Sequence, residues 1–317
     1  MQFSVSVIIP VYNAENFIEK AINSAIEQPE VSEIIVVNDG STDKTQDILK
    51  KLQELNSLIK VYYHKNNSNQ GRSSSRNLGI KKATSNYIAF LDADDFYLPN
   101  RFVNDKKVFI NNNKTDGVYN AIGAHFYRNT TKLEKEKLKL TTVNKRIKPE
   151  ALFDALLFGT NGHFSIDGLT VKKSVFDTIG YFTESMLISE DTELIFKMAL
   201  KCELESGIIN EPVAIRGVHE ANVFNQENLY EKYRVNMYES LFFWGNKKKV
   251  PLQSIDKLLN VLWLLKYKQK QRLHSYIGYW AFIFINNPKS LFSILSVKYF
   301  PIIRLRQKLF PFLYKQK

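Results

Sequence analysis

The sequence predicts a doubly wound α/β fold with a mostly parallel sheet, followed by a helical extension at the C-terminal end. Two patterns in the first hundred residues carry this reading: short runs of continuous β-branched apolar residues, and segments of helical apolar spacing between them. Strands apolar on both faces belong to a parallel sheet covered by helices on both sides, because a sheet with one wet face alternates apolar and polar residues. A third pattern is that only helical spacing follows residue 225 or so.

Taken in order, Val5–Ile9 is the first run and ends at Pro10. Residues 15–28 place Phe17, Ile18, Ala21, Ala25 and Ile26 at helical spacing. Ile34–Val37 is the second strand, and Asn38–Asp43 a cluster of turn and cap residues. Residues 44–56 repeat apolar positions at Ile48, Leu49, Leu52 and Leu55, as a helix does. Val61–Tyr63, residues 72–82 and Tyr87–Leu91 read as a strand, a helix and a strand. Beyond Pro99 the pattern loosens: Val118–Tyr127 supplies strands, and Arg128–Lys148 is an exposed charged loop or short helix. Helical spacing resumes at 149–158 and 190–201, and residues 207–219 are extended. The final helices break at Pro251, Pro288 and Pro301. In such a sheet, ligands sit beyond the C-terminal ends of the strands.

Composition sets limits. With 317 residues, 44% hydrophobic and 24% charged, the chain is neither disordered nor collagen-like, and suits one large domain with an appendage or two modest ones. The net charge is +12, but its location matters more. The last acidic side chain is Asp256, and the 61 residues after it hold 12 lysines and arginines, the whole of the excess. This is a neutral body with a basic tail. Cys202 is the only cysteine, which excludes a disulfide-stapled secreted fold. The first residues lack the basic region of a secretory leader, and the longest apolar run, Tyr276–Ile285, is about half a bilayer span. A reducing, cytoplasmic setting is expected, with membrane contact open.

Polar clusters follow three of the four strands: Pro10–Asn13, Asn38–Asp43 and Asp92–Asp95. Ser41–Asp43 reads most simply as a helix cap. Asp39, at the strand edge before the turn, is less easily dismissed. Asp92, Asp94 and Asp95 put three carboxylates into four residues after a buried strand, a crowding that needs a cation or a firm set of donors. Hard divalent ions such as Mg²⁺ or Mn²⁺ take oxygen ligands and bridge carboxylates to phosphates. Farther on, Ser189-Glu190-Asp191 opens an amphipathic helix with Leu194, Ile195, Met198 and Ala199 on one face. Acids in a first turn also suit the helix dipole, so a structural reading stands beside a chemical one.

The blocks Val5–Asn13, Ile34–Asp43, Asn69-Gln70-Gly71 with Arg76–Gly79, and Phe90–Asp95 together resemble the family 2 glycosyltransferases of the GT-A, Rossmann-like fold. All four occur in the family's order, and with Glu190-Asp191 the resemblance spans roughly residues 1–220. It implies a catalytic domain over 1–222, with 1–98 binding a nucleotide-diphosphate sugar and 99–222 forming the acceptor side, then a basic, aromatic-rich extension over 223–317. Pro10, Val11, Tyr12, Asn13 and Asp39 would line the base pocket, Asp39 accepting from a base N–H. Arg76 would approach the nucleotide, unless it is a surface arginine. In the D-x-D element Asp92-Ala93-Asp94, Asp94 would bind Mn²⁺ or Mg²⁺ and Asp92 the ribose or a metal-bound water. Asp95 would be a further ligand or a turn cap. Asp191 matches the general base of an inverting displacement. His219 would serve the pyrophosphate or metal, although two residues separate it from Arg216 where the family spacing is one. Gly162–Gly168 would fall on the acceptor side.

Residues 257–317 hold 13 aromatics interleaved with the basic residues, which admits three readings. They are an anionic membrane surface, a helical cap on the catalytic domain and, with least support, nucleic-acid binding. The expectation is an inverting enzyme at the inner face of the cell membrane. It would move sugar from a UDP-sugar to a hydroxyl of a saccharide or lipid-linked saccharide, in cell-surface polysaccharide or glycolipid assembly. A sugar nucleotidyltransferase would need a glycine-rich phosphate loop, and Ile9–Asn13 has no glycine. A degenerate assembly partner would not need Asp39, Asp92, Asp94 and Asp191.

Overall fold

A computed structural model describes residues 3–220, 222 and 227–314. The chain divides into two compact units, Met1–Tyr230 and Glu231–Lys317. The boundary expected at residue 223 lies outside the described residues.

The first unit opens with β1 (Val5–Val11), α1 (Ile18–Ile26), β2 (Val31–Asn38), α2 (Thr45–Leu55), β3 (Ile59–Tyr63), α3 (Arg72–Lys82) and β4 (Tyr87–Phe90). These match the sequence pattern element by element. β5 (Phe96–Tyr97), α4 (Val103–Asn111), β6 (Gly117–Tyr119), β7 (Ile122–Phe126), α5 (Lys132–Leu138) and α6 (Pro149–Phe158) follow. β8 (Leu169–Lys172), α7 (Val175–Ile179), α8 (Glu190–Lys201), β9 (Leu204–Ser206) and β10 (Ala214–Val218) complete the unit. The main sheet runs β3-β2-β1-β4-β8-β6-β9. It is parallel from β3 to β4 and antiparallel where β8 is inserted. The extended stretch at 207–219 narrows to β10, which joins β5 and β7 in a small second sheet. Short strands such as β5 and β9 carry too few residues to show a period, which is why the sequence does not reveal this part.

Strand order reverses between β1 and β4, the point where a crevice opens in a doubly wound sheet. Pro10 helps open it. Leu91 N–H donates to Ile8 O (3.0 Å), while Asp39 N–H donates to Val11 O on the β2 side (2.9 Å). By strand alternation, Pro10 faces β4 with no N–H to give, so the β1–β4 ladder stops and the Asp92 loop diverges. Gly79 of α3 lies so close to β1 that a Cβ there would sit 2.4 Å from Ile8 Cγ2. This explains the glycine of the Arg76–Gly79 block.

One buried charge supports the sheet. Glu33 of β2 accepts from Ser6 Oγ (2.6 Å), Lys60 Nζ (2.6 Å) and the Thr84 hydroxyl (2.8 Å). Burial alone would raise its pKa, but these donors outweigh it and hold the carboxyl at about 2. A carboxylate with a depressed folded pKa contributes stability above its unfolded pKa of about 4.5 and loses it as the pH falls toward about 2. Lys60 is half exposed and screened. Glu33→Gln should therefore cost on the order of 2 kcal/mol near neutral pH, a gap that narrows below about pH 4.5 and closes as the pH approaches about 2. Urea unfolding of both proteins across that range is the check, and a gap independent of pH would refute it.

The second unit takes in α9 (Glu227–Lys247) from Glu231 onward, α10 (Leu252–Lys268) and α11 (Leu273–Ile285), then short helical turns from Pro288. Helices restart at or next to Pro251, Pro288 and Pro301, where a proline suits a first turn. Trp263, Tyr276, Phe284 and Tyr299 are buried inside this unit. Several of its rings surround an apolar cavity of only about 20 Å³. Among the described residues no helix is long and apolar enough to cross a membrane.

Candidate active site

The crevice beyond β1 and β4 is a cavity of about 590 Å³ lined by residues from six parts of the chain. Pro10–Ala14 and Phe17 supply one wall and Asp39 the next. Arg72 and Ser75 come from α3, Asp92–Asp95 from the β4 loop, and Asp191 from the start of α8. Arg216, His219 and Asn222 come from the end of β10.

The β1 and β2 loops are tied together. Asn13 is left-handed (φ 49°). Its side-chain oxygen accepts from Thr42 N–H (2.7 Å), and its own N–H donates to Ser41 Oγ (3.0 Å). Asp43 Oδ1 takes Thr45 N–H as a cap would, while Oδ2 takes Glu15 N–H from the other loop. Ser41–Asp43 is thus more than a helix cap. Tyr12 is half exposed into the cavity. Asp39 is buried, and its two oxygens accept the main-chain N–H groups of Gln70 (2.7 Å) and Gly71 (2.8 Å). The Asn69-Gln70-Gly71 block therefore anchors Asp39, with Gly71 at φ +85° starting α3.

Arg76 differs from expectation. It neither lies on the surface nor lines the cavity: it is buried to 1% exposure. Its guanidinium bridges Asp92 Oδ1 (2.6 Å) and Glu190 Oε1 (2.9 Å). It thus joins the D-x-D loop to the residue before Asp191. Burial alone would lift the Asp92 pKa, but Arg76 and Arg72 outweigh it and hold it low. Arg76 itself is pushed up by the same carboxylates against its own burial.

The three aspartates after β4 have three different surroundings. Asp94 Oδ2 accepts from Asn222 Nδ2 (3.1 Å) and lies 2.8 Å from His219 Nε2, whose ring stacks on Phe17. Asp95 points inward and takes Gly217 N–H (2.9 Å). Burial, then Asp167 and Asp94, raise its pKa well above its ordinary value. Of the two roles the sequence left open, its side chain does not cap the turn before Pro99, because it accepts across to β10 instead. Asp167, from the 162–168 loop, accepts Asp92 N–H (3.0 Å) and the Ser165 hydroxyl (2.7 Å). Asp92, Asp95 and Asp167 each bring one carboxylate oxygen within 4.8 Å of the others, a set that could hold a cation. Arg216 donates to Ser165 Oγ (3.1 Å), and its own burial is outweighed by Asp95, Asp167 and Asp191. Its place among these carboxylates sits with the two-residue spacing to His219.

Sequence reasoning did not find Asp167, nor the roles of Glu190 and Arg216 inside this network. The only signal was a polar Ser165 and Asp167 among apolar neighbours ahead of a strand. At the start of α8, Ser189 is left-handed (φ 66°), and Asp191 Oδ1 accepts its neighbour Thr192 N–H (2.6 Å).

Residues 6–180 match the family model described as glycosyl transferase family 2. A protein of Rickettsia typhi named as an uncharacterized glycosyltransferase is 32% identical over 244 residues, 72% of this chain and 69% of its own. The putative teichuronic acid biosynthesis glycosyltransferase TuaG of Bacillus subtilis is 42% identical over 92 residues, 29% of this chain and 36% of its own. Among solved structures, S. aureus TarS 1-349 in complex with UDP-GlcNAc superposes with a TM-score of 0.64 at 17% identity. That match covers 96% of this chain and 92% of that one. At that identity, the likeness is one of fold.

Proposed function

The chain belongs to glycosyl transferase family 2, and on that premise we propose that it transfers a sugar, with inversion, from a UDP-sugar to a hydroxyl of a saccharide or lipid-linked saccharide. The observation that carries the reading is the convergence of Asp39, Asp94, Asp191, Arg216 and His219 on one cavity at the switch point of the sheet. The uridine donor is supported by the fold's likeness to a TarS structure that holds UDP-GlcNAc. A role in cell-surface polysaccharide or glycolipid assembly is supported by the similarity to TuaG. The setting proposed is the cytoplasmic side of the cell membrane.

In this reading Tyr12 and Asp39 hold the base and ribose end of the donor. The diphosphate lies toward His219 and Arg216, whose donors face the charge that develops there. Asp94 is a partly exposed carboxylate with the His219 imidazole nitrogen 2.8 Å away, and with Asp92 these residues would hold Mn²⁺ or Mg²⁺, which when bound would neutralise the leaving diphosphate. Asp191 accepts the proton of the acceptor hydroxyl as that oxygen attacks the anomeric carbon. The bond from that carbon to the diphosphate oxygen breaks, and the diphosphate leaves with the electron pair.

Thermal shift against UDP, GDP, dTDP and UDP-sugars, with and without Mn²⁺, is the test. Uridine ligands with Mn²⁺ should raise the melting temperature by a few degrees at about 100 times their Kd. Asp94→Ala should remove the Mn²⁺-dependent part. A folded protein that responds to no nucleotide, or an Asp94→Ala variant that keeps the full shift, would overturn the assignment.

A further inference from the structure

The helical unit hides the aromatics that look most membrane-like in the sequence and exposes others. Trp263, Tyr276, Phe284 and Tyr299 are internal, whereas residues 282–314 present large apolar side chains to solvent. Phe292 is 88% exposed and Phe312 69%, and Ile285, Ile294, Val297 and Leu313 are more than half exposed. This is not a loosely held segment. Trp280 Nε1 donates to Ser296 O (2.9 Å), Tyr299 Oη to Asp256 O (2.8 Å), and Arg304 to Asn260 Oδ1 (2.8 Å). The short helices pack on one another while Leu295, Tyr299 and Leu305 point inward. A folded surface with this much exposed aliphatic and aromatic area marks an interaction site.

Its charge selects the occupant. Lys289, Lys298, Arg306 and Lys308 lie among these residues, and the chain has no acid after Asp256, which Lys298 already pairs at 2.6 Å. A second copy of this surface would bring cations against cations. Nucleic acid would leave the isoleucines, valine and leucine without partners. A bilayer of anionic lipid satisfies both features at once: headgroups meet the lysines and arginines, and acyl chains receive the apolar side chains. We infer that residues 282–314 form an anionic-lipid docking surface, with Phe292 and Phe312 as its inserting side chains. The inference deepens the proposed action on a lipid-linked acceptor, and its functional meaning rests on that reading.

The test is co-sedimentation of the full chain with phosphatidylglycerol-containing vesicles and with neutral phosphatidylcholine vesicles. Binding should require the anionic lipid and weaken with salt. Phe292→Ser with Phe312→Ser should lower it at least about tenfold, because insertion adds to the electrostatic term. The inference would be overturned by no sedimentation with anionic vesicles, by unchanged binding of the double variant, or by self-association of the parent that the double variant abolishes. Preferential binding of single-stranded RNA would do so too. The UDP-sugar thermal shift, run on both proteins without vesicles, separates the two readings. A retained shift without lipid binding removes the surface alone. Lipid binding without any nucleotide shift removes the catalytic reading and leaves the surface standing.

Discussion

Asp191→Asn is expected to lower kcat by about a hundred- to ten-thousand-fold while donor affinity stays unchanged. The substitution keeps size and shape at the first turn of α8, so the neighbouring Glu190 stays bridged to Arg76 (2.9 Å) and the cavity wall is preserved. What is lost is the capacity to take a proton. An amide oxygen cannot do this for an attacking hydroxyl, so the barrier rises only in the transition state, and kcat falls without a compensating change in binding. Steady-state kinetics with a competent acceptor, together with isothermal titration of UDP-sugar, separates these quantities. Turnover near the parent rate would exclude Asp191 as the base. A matched loss of donor affinity would instead place it in donor binding.

The second large effect should come from Arg76→Met. Removing a buried cation from between two carboxylates leaves Asp92 and Glu190 with only the partly exposed Arg72 close by, 3.3 Å from Glu190, a change that costs up to about 3–5 kcal/mol. The sign with pH is specific. In the variant these carboxyls lose their main cationic partner and keep only Arg72, so their folded pKa values rise. The deficit is then greatest near neutral pH and shrinks as the pH falls and the carboxyls take up protons. Urea unfolding at about pH 7 and pH 5 reads this directly. A deficit under about 1 kcal/mol, or one indifferent to pH, would mean the bridge carries little. Arg76→Lys is the companion variant. One ammonium cannot span both partners as a planar guanidinium does, so it should recover only part of the loss.

Much of the catalytic unit was legible in the sequence. β1, β2 and β4 are short, continuous apolar runs, and the residues that follow them necessarily arrive at the sheet's C-terminal edge. Pro10–Asn13, Asp39 and Asp92–Asp95 were therefore placed by strand prediction alone. The second sheet was not legible, because its strands of two to five residues show no period and their pairing joins segments about 100 residues apart.

The sequence by itself determined which residues stand at strand ends, where charge accumulates, and which family the chain resembles, since each of these is a property of neighbours along the chain. Tertiary structure decided the partners. Arg76 turns inward to Glu190, 114 residues away, and Asp92 meets Asp167, 75 residues away. Asp95 becomes a buried carboxyl, and the apolar tail divides into rings that fill a core and rings that face solvent. The physical reason is the same in each case. Periodicity tells which side of an element faces inward, but a buried charge takes its pKa, and an aromatic its exposure, from groups that only the folded chain brings together.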